Sequence, residues 1–190
     1  LFVTGESESS GEAIGETRSS AVAGFYSPSD DEIKIITDSP ESPTINNATL
    51  VHELVHALQD QRYDLTDAKY GGDTQDEQLA VDGLVEGDAK YVEQRYADRC
   101  GESWECVATP SSGGGGGGGS PNLGIFLTIF QPYSDGPVYV HDLVDREGWN
   151  AIDERFENPP ASSEQNIHRT DEAPVPIDYR DRARNGWETF

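Results

Sequence analysis

Residues 52–61 read His-Glu-Leu-Val-His-Ala-Leu-Gln-Asp-Gln, so two histidines stand four apart inside an apolar run. A strand would hold such a pair about 13 Å apart, at about 3.3 Å per residue. A helix stacks them one turn apart on a single face. If the two rings act together, this stretch has to be helical and the rest of the chain has to fold around it. Leu50, Val51, Leu54, Val55 and Leu58 are expected to turn toward a core. Asn47 or Thr44 is expected to cap the start, with the end near Gln61. Asn47-Ala48-Thr49 also has the form of an N-glycosylation sequon, although a capping asparagine followed by a chance threonine explains it equally well.

A chain of 190 residues suffices for one domain with its own core. Its charge is extreme: 36 Asp and Glu against 13 Lys and Arg give −23, and the lysines are Lys34, Lys69 and Lys90 alone. Such a field repels nucleic acid and anionic membrane surfaces. The acids are spread among apolar residues along the whole chain, which argues against a disordered acidic tail. Acid-rich, lysine-poor surfaces suit molar salt, where the Debye length falls to about 3 Å and self-repulsion is screened. A halophilic source is therefore expected. No stretch approaches the roughly 20 apolar residues that span a bilayer. The chain opens at Leu1 without methionine, so a fragment or processed form is expected. An extracellular or cell-surface location is expected too, with any signal or anchor lying outside the fragment.

Residues 1–20 are expected to form a flexible N-terminal segment, being rich in Gly, Ser and Glu between 5 and 20. A single domain is expected over 21–190. Phe25-Tyr26, the turn residues 27–31 and the β-branched run 32–37 form a plausible hairpin. Residues 64–75 are expected as loop, and a second helix over about 76–99 carries Val81, Val85, Ala89, Val92 and Tyr96 at helical spacing. Gly83 and Gly87 within it suggest close approach of another backbone. Cys100 and Cys106, the only cysteines, suit a local disulfide. Residues 111–120 hold seven consecutive glycines and are expected to form a flexible loop. Residues 123–130 are expected as a buried helix or strand, 131–137 as a turn, and 138–146 and 149–156 as helices packing with Trp149. Asn158-Pro159-Pro160 ends the last of these.

A catalytic zinc takes three protein ligands and keeps one position open. His52 and His56 supply two, and Glu53, following the first, stands where a general base is needed. The second helix offers Glu86, with Asp82 and Glu93 on roughly the same face. Spacing does not choose among these three carboxylates.

His52-Glu-Leu-Val-His56 followed by Leu84-Val85-Glu86-Gly87-Asp88-Ala89-Lys90-Tyr91 resembles the paired motifs of the gluzincin metallopeptidases. The chain is similar, more narrowly, to uncharacterised haloarchaeal surface proteins carrying this motif pair. The resemblance spans roughly residues 21–170. It implies Glu86 as third ligand, Zn²⁺ as cofactor, and an α+β zincin-like fold, mainly helical with a small antiparallel or mixed sheet. It also implies that residues 32–37 form an edge strand binding an extended peptide or protein substrate. The implied activity is peptide hydrolysis by a zinc-activated water with Glu53 as base. The alternative is a non-catalytic surface or binding domain that keeps the fold and the metal. Many gluzincins carry an acid four residues after the ligand glutamate; here Lys90 stands there, which turns attention to Asp88 or Asp82 as the group orienting a histidine. For the oxyanion the candidates are Tyr91, Tyr133, His141 and His168. His168 is favoured, because it lies in a polar segment outside an obvious helix.

Overall fold

The computed structural model describes residues 9, 24–37, 39–43, 45–100, 102–104, 106 and 123–175. The expected flexible segments at 1–20 and 111–120 lie outside these, apart from Ser9. Among the described residues the chain is mostly helical with one small antiparallel sheet, an α+β arrangement.

The sheet is the expected hairpin. Strand β1 (Gly24–Ser27) pairs with β2 (Glu32–Ile35), with Tyr26 opposite Ile33 and Ser27 opposite Glu32. Asp30, in the turn, accepts from Ser27 Oγ and pairs with Lys34. Helix α1 (Asn47–Tyr63) follows. Its cap is Asn46 rather than Asn47 or Thr44: the Asn46 side chain accepts the Ala48 N–H at 2.8 Å. The helix ends at Asp64, which takes a left-handed conformation.

Helix α2 (Gln75–Arg99) is the axis of the molecule. A capping box between Thr74 and Glu77 starts it. Ahead of it, the expected loop contains a single 3-10 turn at Ala68–Tyr70. One side of α2 meets α1; the other meets the C-terminal helices, α3 (Leu123–Ser134), α4 (Gly136–Glu147), α5 (Asn150–Glu157) and α6 (Ser163–His168). The core lies on that second side, where Val81, Leu84 and Tyr91 pack with Tyr139, Val140, Leu143, Ala151, Ile152 and Phe156. Tyr63 from α1 stacks on Phe156 with ring centroids 4.4 Å apart. The Tyr70 hydroxyl donates to the Phe156 carbonyl.

Besides the cap, four sequence expectations are corrected. Leu54 and Leu58 are exposed, at 51% and 62%; the residues that α1 buries are Glu53, Val55 and Gln59. The helix turns its polar side inward because α2 meets it with carboxylates. Residues 123–130 do form a helix, α3, but of them only Ile125 is buried: Leu123 is 68% exposed, and Leu127 and Phe130 are also exposed. Nor is 131–137 a turn: α3 runs on through Pro132, and α4 begins at Gly136 after a break at Asp135. His168 is itself helical, the last residue of α6, whose start is fixed by a Ser162–Gln165 capping box.

The glycines of α2 do what their placement suggests. Gly87 and Gly83 face Gly136, and a Cβ on Gly87 would fall 2.6 Å from the Gly136 carbonyl oxygen. Gly83 also leaves room for the Asn166 side chain, which donates to the Ala80 carbonyl. Cys100 and Cys106 form the expected disulfide.

Candidate metal centre

His52 and His56 lie on the face of α1 that meets α2, and Glu86 reaches them from the second helix. Their donor atoms close into a triangle. His52 Nε2 is 3.1 Å from His56 Nε2 and 3.0 Å from Glu86 Oε2, and His56 Nε2 is 3.4 Å from the same oxygen. Donors around a tetrahedral ion at 2.0–2.1 Å stand roughly 3.3–3.4 Å apart. The rings sit nearly perpendicular, at 85°, so both nitrogens aim inward without stacking. The three side chains are 12–22% exposed.

Hydrogen bonds behind the rings define which nitrogen carries a proton. Gln59 Nε2 donates to the Val85 carbonyl at 3.1 Å and to Asp88 Oδ2 at 2.8 Å. A carbonyl only accepts, so the amide group of Gln59 has one orientation and its Oε1 faces His56 Nδ1 at 2.9 Å. His56 Nδ1–H is therefore the donor, and in the neutral ring Nε2 is left as a lone pair. His52 Nδ1 has Glu93 Oε2 at 3.4 Å, too far off line to count as a formed hydrogen bond. That carboxylate still favours a proton on Nδ1. Three acceptor lone pairs thus converge on one point, a donor set that suits a cation with nitrogen and oxygen preference such as zinc.

The electrostatics agree. In the absence of an ion the cluster recruits protons. Burial alone would lower His52, but Glu86 and Glu93 outweigh it and the ring is raised to about 9. His56 is raised as well, burial again opposing and the Glu86 carboxylate prevailing. Glu86 is lowered to about 2, since the two histidines overcome the upward pull of burial.

Glu53, 6% exposed, sits one residue along α1, and its Oε2 accepts the backbone N–H of Tyr26 at 2.8 Å. Burial raises its pKa, against the downward pull of His56 and the Tyr26 amide. The hairpin therefore meets α1 chiefly through β1. The strand read in the sequence as the edge beside the site, 32–37, is the outer partner. The Tyr26 hydroxyl also bonds Asp31 and Asp60, tying turn, strand and helix together.

Of the residues named from the sequence, His52, His56, Glu86 and Glu53 come together. Glu93 stands behind His52 and is held by Lys90 Nζ at 2.7 Å; Asp82 accepts from Gln78. Asp88 acts on His56 through Gln59, whose spacing of three from His56 puts it on the same face of α1 and is the one sign of it in the sequence. Tyr91 is buried against His141 and Trp149. His141 is exposed beside Asp145. His168 is exposed at the end of α6, with no described contact to the cluster. Tyr133, 42% exposed at the end of α3, is the candidate on which Glu86 acts: burial of its hydroxyl raises its pKa, and the Glu86 carboxylate raises it further.

Comparison with family models, with curated proteins and with solved structures finds no match.

Proposed function

We propose that this chain is a zinc-dependent metallopeptidase of gluzincin type, with a zincin-like fold. The observation that carries the reading is the convergence of His52 Nε2, His56 Nε2 and Glu86 Oε2 within 3.0–3.4 Å, with the buried Glu53 carboxylate one residue along the same helix. His52, His56 and Glu86 would hold the ion, which when bound polarises a water and the scissile carbonyl. Glu53 is kept in place by the Tyr26 amide and raised by burial, so it takes the proton and returns it to the leaving amine. Tyr133, whose pKa is raised by burial and by the Glu86 carboxylate, takes over from His168 the part of donor to the oxyanion. An extended peptide would lie along the hairpin beside Glu53.

The disulfide and the acidic, lysine-poor composition support a place outside the cell or at its surface, in a salt-rich medium. No helix among the described residues is long and apolar enough to cross a membrane.

The deciding experiment compares peptide hydrolysis by wild type and Glu53→Gln in molar salt, with zinc measured in both. The expected result is equal zinc and a rate lower by about 10²–10⁴ in the variant. Equal rates, with zinc in both, would instead support a binding or structural domain that retains the metal.

A further inference from the structure

Gln59 is 2% exposed and sits between the two helices of the metal centre. Its three polar contacts are all directional. Nε2 bonds Val85 O and Asp88 Oδ2, both on α2, and Oε1 takes the proton on His56 Nδ1. Asp88 is itself 7% exposed. His52 has no counterpart to this arrangement: its Nδ1 meets only the long Glu93 contact. The two ligand histidines are thus held unequally. His56 is locked from behind by an amide that cannot flip without breaking a bond to a backbone carbonyl.

We infer that Gln59, oriented by Val85 and Asp88, is a positioning residue that fixes His56 as its Nδ1–H tautomer and aims Nε2 at the metal position. The inference rests on the zinc reading above and adds to it a residue outside the ligand set. A neutral imidazole without such a partner divides its proton between two nitrogens, and the form protonated at Nε2 has no lone pair to offer there. Loss of a partner behind a ligand histidine costs about 10–100-fold in metal affinity. Gln59 also bridges α1 to α2, so a packing role has to be separated from a positioning one.

The test measures zinc dissociation constants by chelator competition, and urea unfolding of the metal-free form, for wild type, Gln59→Leu and Gln59→Glu in molar salt. Both variants lose the donor to Val85 and Asp88, so both lose stability. Only Gln59→Glu keeps an oxygen facing His56 Nδ1. Positioning predicts zinc affinity lower by about 10–100-fold in Gln59→Leu and within about threefold of wild type in Gln59→Glu. Ring ¹⁵N spectra of zinc-loaded wild type should show His56 protonated at Nδ1. Unchanged affinity in Gln59→Leu, or an equal fall in both variants, would overturn the inference and leave the zinc site standing. A wild type that binds no zinc would overturn both.

Discussion

Gly87 and Gly136 meet backbone to backbone, with no room for a methyl group between them. Gly87 follows Glu86 of the candidate metal site, and Gly136 comes three residues after Tyr133. The contact that lets α4 approach α2 therefore also sets how the end of α3, where Tyr133 lies, stands against the turn of α2 that carries Glu86. Gly87→Ala should cost about 1–3 kcal/mol by overpacking, read as a lower urea midpoint. It should also weaken zinc binding, because the helix turn carrying Glu86 has to move.

Zinc should be present at one ion per chain in protein purified without chelator, and absent from His52→Ala and Glu86→Ala. Elemental analysis decides this. Glu93→Gln should still bind zinc, more weakly, because it removes only the carboxylate behind His52.

Metal-free protein and zinc-bound protein should respond oppositely to alkali. His52, raised to about 9, contributes stability that is full below about 6.5 and is lost as pH rises through 9. Glu86, lowered to about 2, contributes stability that is present above about 4.5 and lost as pH falls through 2. The pair therefore favours the metal-free fold most between about pH 4.5 and 6.5. Its melting temperature should fall from pH 6.5 to 9.5, while zinc affinity rises over the same range as protons leave both rings. Parallel melting curves with and without chelator would contradict this.

Tyr133→Phe should lower kcat by about 10²–10³ with zinc content unchanged. His168→Ala should leave kcat as it is, because His168 sits exposed at the end of α6. A kinetic comparison of the two variants tests which group serves the oxyanion.

The net charge of −23 predicts a salt-dependent fold. Thermal unfolding should move to lower temperature as salt is reduced from molar to millimolar, because unscreened carboxylates repel one another. A melting temperature independent of salt would remove the ground for the halophilic reading.

The sequence by itself determined the parts governed by local spacing. The helix under His52 and His56, the hairpin around its turn, the long second helix and the cysteine bridge are all legible, because each depends on residues close along the chain. So are the residue types of the candidate metal cluster and the close approach announced by Gly83 and Gly87. Tertiary structure decided which carboxylate of Asp82, Glu86 and Glu93 reaches the rings, since rotation of one helix against another sets that choice and spacing does not. It also decided that α1 buries Gln59 while exposing Leu54 and Leu58: hydrophobicity predicts the reverse, but a helix facing buried carboxylates has to answer them with polar groups. The proposal of Tyr133 rather than His168 as oxyanion donor has the same origin. Polar surroundings in sequence favour His168, whereas the Gly87–Gly136 contact, formed by residues 49 positions apart, fixes how α4 and the end of α3 approach the α2 turn of Glu86.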